Sequence, residues 1–101
     1  MWNLRRIAEL DVIVRFYGSI VEMTGVREEK FDVQKGATVG DLIEALVSKY
    51  GPSFRRYTGS EGSTVSEGIV IMVDGRSIHL LSGMKTRLSE TSQVAILHLY
   101  M

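Results

Sequence analysis

Cysteine is absent from all 101 residues. That excludes disulfides, cysteine-based zinc sites, a thiol nucleophile and a side-chain persulfide. A charge surplus is absent too: 12 basic residues offset 12 acidic ones, so bulk electrostatics gives no reason to expect nucleic acid as a partner. Histidine is scarce, with only His79 and His98, and neither stands in a metal-ligand cluster. No apolar run approaches the roughly 20 residues that span a membrane. The opening MWNLRRIAEL lacks the continuous apolar stretch of a secretory signal, so the expectation is a cytoplasmic protein without a membrane partner. No phosphate loop, Ser-His-Asp arrangement or paired-carboxylate motif stands out, so no catalytic residue and no cofactor is assigned. What is there is an ordinary globular balance, 45% hydrophobic and 24% charged, in a length suited to one domain with one modest core.

Residues 1–10 read as an N-terminal extension. DVIVRFY (11–17) is rich in β-branched and aromatic residues and predicts a strand, with Val12, Val14 and Phe16 on one face. Ile13, Arg15 and Tyr17 take the other. Gly18 breaks it. Ser19 and Glu22 have capping-box spacing, which predicts a short helical turn ending at Gly25. VREEKFDVQ (26–34) predicts a second, more polar strand, suited to a sheet edge. Thr38 is a good N-cap, Asp41 favours the helix dipole, and Val39, Leu42, Ile43, Leu46, Val47 and Tyr50 recur at helical spacing. Gly51 and Pro52 end that helix.

Residues 52–67 predict a flexible loop whose first part Phe54 and Tyr57 pin to the body. The run GIVIMV (68–73) predicts a buried strand, and Asp74-Gly75 is a strong hairpin signal. Arg76 to Leu81 predicts a short return strand, and Gly83 to Leu88 a turn with Met84 and Leu88 packed inward. Gln93 to Tyr100 predicts the closing strand, with Ala95, Leu97 and Leu99 on one face and Ile96, His98 and Tyr100 on the other. One main helix with one apolar stripe covers one face of one mixed sheet of four to five strands, a two-layer α+β domain over residues 11–101.

In their order and spacing, VRFYGSIVEMTGVREEKFDV (14–33), KGATVGDLIEALVSKYG (35–51), IVIMVDGRSI (69–78) and VAILHLYM (94–101) resemble the MoaD/ThiS group of sulfur carriers, on the MoaD side. The resemblance implies a β-grasp, or ubiquitin-like, fold with the first and last strands parallel at the centre of the sheet. It also implies a C-terminal glycine carboxylate that an E1-like adenylating enzyme activates with ATP and magnesium. The product thiocarboxylate donates sulfur in molybdopterin or tungstopterin biosynthesis, to thiamine thiazole or to tRNA; some relatives instead link the glycine to lysines. Without cysteine, carried sulfur has to sit on the backbone terminus. The given chain lacks the terminal Gly-Gly and stops at Met101, where the family's last strand opens into that pair. Leu97-His98-Leu99 stands where the family commonly has a proline-containing stretch.

Two alternatives accompany the sulfur-carrier reading: a ubiquitin-like protein modifier, and a β-grasp interaction module without C-terminal chemistry. The sheet face opposite the helix is the candidate partner surface, because one helix cannot cover both faces. On the alternation above, Ile13, Tyr17, Ile96, His98 and Tyr100 point there, with Met101 leading into the tail. The resemblance implies that this face and the tail dock onto the E1-like enzyme and a MoaE-like large synthase subunit. His79 reads as a surface residue, and Glu28-Glu29 as a solvated strand face.

Overall fold

The computed structural model describes residues 9–54, 69–90 and 92–98. The chain opens with β1, Glu9–Tyr17, and turns through Gly18 and Ser19 into the short helix α1, Ile20–Thr24. The edge strand β2, Glu28–Gln34, then runs back antiparallel to β1, from Glu9↔Gln34 to Arg15↔Glu28. The main helix α2, Val39–Tyr50, follows. Its start is fixed locally. The Asp41 amide donates to Thr38 Oγ1 at 3.2 Å, and the Thr38 amide donates to Asp41 Oδ2 at 2.9 Å, a complete capping box. A 3-10 turn over Pro52–Phe54 comes next.

The second half of the sheet begins with β3, Ile69–Val73. Asp74 and Gly75, with φ of 50° and 86°, make the tight turn to β4, Arg76–Ser77. Two 3-10 turns, Ile78–Leu80 and Gly83–Lys85, lead to β5, Gln93–His98. The strand order is β2-β1-β5-β3-β4. β5 therefore sits at the centre, parallel to β1 and antiparallel to β3, as the β-grasp resemblance implies.

Both helices lie over one face. Leu42, Ile43 and Leu46 of α2 and Ile20 of α1 are buried with Val12, Val14 and Phe16 of β1, Ile69, Ile71 and Val73 of β3, and Val94 and Ile96 of β5. Phe54 is buried beside Phe16 and Tyr50, with ring centroids 6.3 and 5.8 Å away, so it pins the chain after α2 as expected. Met84 and Leu88 pack inward, also as expected.

Several expected boundaries move. β1 takes in Glu9 and Leu10, because buried Leu10 pairs with buried Val33. β2 starts at Glu28, and Val26 is left exposed beyond its end. β4 stops at Ser77, whose hydroxyl accepts from the His79 amide and turns the backbone into a 3-10 helix. Residues 1–8 of the expected extension, residues 55–68 of the expected loop with Tyr57, and residues 99–101 lie outside the described residues.

Candidate functional site

Among the described residues no helix covers the other face of the sheet, and cross-strand register fixes which side chains line it. Residues opposite one another in a ladder share a face. Tyr17 pairs with Leu97, and Leu97 with Val70; Arg15 pairs with Ala95, and Ala95 with Met72. Tyr17 is 44% exposed and Val70, Met72, Ala95 and Leu97 are half-buried, an apolar centre on β1, β5 and β3. Ile13 is half-buried on the same face, between Lys30 and Gln93. A shallow hollow of about 380 Å³ runs across it, lined by Arg15, Tyr17, Met72, Asp74, Gln93 and Ala95 among others. Shallow and mixed in character, it suits the surface of a protein better than a small molecule.

Ile13 and Tyr17 thus occupy the expected face, and Ile96 does not. Ile96 is 0% exposed and pairs with buried Phe16 on one side and buried Ile71 on the other, so it belongs to the core. The alternation expected for β5 is inverted: Val94 and Ile96 point toward the helices, Ala95 and Leu97 away. His98 shares the parity of Ile96 and pairs with buried Ile69, so it too lies on the helix-covered side. Tyr100 and Met101 fall outside the described residues. Sequence reasoning placed Arg15 on this candidate face but missed Val70, Met72, Ala95 and Leu97. The polar Gln93, read as outward-facing, would have set the correct parity.

Charge borders the apolar centre on the β2 side. Arg15 Nε donates to Glu28 Oε1 at 3.1 Å across the strand pair. Further along, Asp11 sits directly opposite Asp32. The hydrogen bond that Asp32 shares with the Asp11 carboxyl, followed by the Asp11 charge, raises the Asp32 pKa above its ordinary value. The start of β5 is anchored by Asp74. Its Oδ1 accepts from the Gln93 amide at 2.9 Å, and its own amide donates to the Gln93 carbonyl at 2.8 Å. Beside it, the hydroxyl of buried Ser92 accepts from the Ser89 amide at 2.9 Å. The central strand is thereby held at its entrance by the β3–β4 turn.

At the other end of β5, Ser19 Oγ lies 2.6 Å from His98 Nδ1. Ser19 has helical angles, φ −66° and ψ −15°, and its side chain makes no capping bond, so the expected capping box does not form. The Val21 and Glu22 amides instead close tight turns onto the Gly18 and Ser19 carbonyls, both at 3.1 Å.

Glu29 is more than a solvated face residue: it accepts from both Lys49 and Tyr50, tying β2 to the end of α2. Burial raises the Tyr50 pKa. His79 is exposed, next to Leu80 at 79% exposure. Among the described residues no group of three or more His, Asp or Glu is placed to hold a metal ion, and no helix is long and apolar enough to cross a membrane.

Comparison with known proteins agrees with this geometry. The model of the ThiS family matches residues 14–99. Small archaeal modifier protein 3 of Haloferax volcanii is 26% identical over 87 residues, which cover 86% of this chain and 92% of the relative. The solution structure of small archaeal modifier protein 1 from Methanosarcina acetivorans superposes with a TM-score of 0.74 at 26% identity, covering 89% of this chain and 93% of that one. A chain of the Amycolatopsis orientalis BexX/CysO complex shares the fold, with a TM-score of 0.73 at 20% identity over 89% of this chain and 97% of its own.

Proposed function

The chain belongs to the ThiS family, whose members are small ubiquitin-like sulfur carriers and modifiers, and on that premise we propose that it is a MoaD-like sulfur carrier acting through its C-terminal carboxylate in the cytoplasm. The observation that carries the reading is the placement of β5. The last described strand is the central one, fastened at its entrance by Asp74 and flanked on its open side by Tyr17, Val70 and Met72. A partner that docks on this face therefore meets the end of β5, at His98, in a fixed place relative to Tyr17 and Leu97.

The chemistry assigns this chain the part of substrate. A C-terminal carboxylate oxygen attacks the α-phosphorus of ATP on an E1-like enzyme, and pyrophosphate leaves. Hydrosulfide then displaces AMP at the acyl carbon, giving a thiocarboxylate. Donation of that sulfur to a pterin precursor on a MoaE-like large subunit makes this a molybdopterin or tungstopterin pathway. The tail needs a terminal glycine pair, because only glycine combines an absent side chain with free access to extended and positive-φ conformations in a narrow channel. The partner surface is Ile13, Tyr17, Ala95 and Leu97 with Val70 and Met72.

A second reading, conjugation to lysines of other proteins, is favoured by the two relatives at 26% identity, both small archaeal modifier proteins. Mass spectrometry of the native protein separates the two. A replacement of the terminal hydroxyl oxygen by sulfur supports the carrier, and a branched lysine conjugate supports the modifier. A native C-terminus with neither adduct, in cells making the cofactor, refutes both and leaves an interaction module.

A further inference from the structure

We propose that Gly18 and Ser19 form a clasp on His98 that sets the direction in which the chain leaves the sheet, making Ser19 and His98 positioning residues for chemistry at the C-terminus. This rests on the carrier reading above. Two independent contacts meet at His98. Ser19 Oγ lies 2.6 Å from its Nδ1, a partly buried bond between residues 79 positions apart. At Gly18, with φ +71°, an added Cβ would lie 3.1 Å from the His98 carbonyl oxygen, a tight approach at a backbone angle that itself favours glycine. One residue is gripped at its ring and approached at its carbonyl by two consecutive residues of the β1–α1 turn.

The clasp sits where the sheet stops supporting β5 on one side. The ladder to β1 ends at Tyr17↔Leu97, whereas the ladder to β3 continues to Ile69↔His98. β1 has turned away at Gly18, so the β1–α1 turn takes over the flank of β5 that the strand has left. The Ser19 hydroxyl is committed to this task. It stands at the head of α1 with Glu22 three residues on, yet caps nothing. Either imidazole tautomer serves, since a hydroxyl both donates and accepts. A reacting group carried on a chain end is productive only when its approach is directed, and an error of about 1 Å costs up to about 100-fold in rate.

The test uses the full chain with its native C-terminus and its E1-like enzyme. Readouts are amide exchange at Leu97 and His98, and ATP–pyrophosphate exchange with kcat and KM determined separately. Ser19→Ala is expected to speed exchange at His98 about tenfold and to lower kcat about tenfold at unchanged KM, because the docking face is untouched. Ser19→Thr keeps the hydroxyl, and His98→Asn keeps a polar atom near the Nδ1 position; both are expected to restore kcat, whereas His98→Leu is not. Wild-type kcat in Ser19→Ala, or a loss confined to KM, overturns the clasp while leaving the carrier reading intact. A wild-type chain that the enzyme never adenylates overturns the carrier reading, and the clasp's role in the chemistry with it.

Discussion

Neighbouring residues Ile96 and Leu97 offer a direct test of which face of β5 is which. Each is truncated to alanine by removing about three methylene equivalents, worth roughly 0.8 kcal/mol apiece when fully buried. Ile96 is 0% exposed between Phe16 and Ile71, so the whole transfer term of about 2.4 kcal/mol applies, and the residual cavity brings the expected cost to about 3–4 kcal/mol. Leu97 is half-buried on the open face, where water replaces the lost atoms and no closed cavity forms; about 1 kcal/mol is expected. In a domain of this size each kcal/mol moves the melting midpoint by about 4–8 °C. Ile96→Ala should therefore lower Tm by about 12–30 °C, and Leu97→Ala by no more than about 8 °C. Urea titrations followed by circular dichroism, with m-values compared, give the same contrast as free energies. Partner affinity should show the reverse order: Leu97→Ala weakens binding of the activating enzyme about tenfold, a typical loss for a central interface residue, and Ile96→Ala leaves it unchanged at temperatures where the variant is folded. Equal destabilisation by the two variants, or a larger loss from Leu97→Ala, would refute the register argument.

Three further perturbations probe the features that frame the site. Asp32→Asn removes the carboxylate facing Asp11. Because the folded-state pKa of Asp32 is raised, this group favours the folded state below its ordinary value, and that support is lost as pH rises through the raised value. The variant should melt higher than wild type at neutral pH, with the gain shrinking toward about pH 3; equal gains in melts at both pH values contradict the assignment. Thr38→Ala deletes half of the capping box of α2 and should cost about 1 kcal/mol in urea titrations, with Thr38→Ser near wild type. Gly18→Ala forces a side chain into φ +71° against the His98 carbonyl. A loss of at least about 1–2 kcal/mol is expected, together with a shifted His98 amide resonance; a neutral effect would remove the close approach from consideration.

Sequence legibility followed the range of the forces involved. α2 was readable because its cap, its stripe and its stop lie within one continuous stretch, 38–52. The β3–β4 turn was readable because Asp74-Gly75 carries its own backbone preference. β5 was legible as a strand but not by face. Val94-Ala95-Ile96-Leu97 is apolar at every position, so alternation cannot choose a parity. Polar His98 and polar Gln93 point to opposite parities, and His98 is the exception because its ring has a hydroxyl partner on the covered side. The same contact explains why Ser19 was misread as a cap: its competing partner lies 79 residues away, beyond any local pattern. The parallel pairing of β1 with β5 came from family resemblance alone, since neither strand signals its neighbour.

Once that pairing is known, the open face needs little more information. β1 has clean alternation, with buried Val12, Val14 and Phe16 interleaved with outward Ile13, Arg15 and Tyr17. The parallel register transfers this parity to β5: Val14 carries Val94 inward, Phe16 carries Ile96 inward, and Tyr17 carries Leu97 outward. A one-residue slip would bury Ala95 and Leu97 and turn Val94 and Ile96 out. It would also pull His98 out of line with Ser19. The Ser19–His98 contact is thus in register with the apolar pairs, so the packing that fills the core also fixes where the C-terminal segment departs relative to Tyr17 and Leu97. The proposed docking surface and the end of β5 are set by one ladder, and a substitution that shifts β5 should impair partner binding and C-terminal activation together.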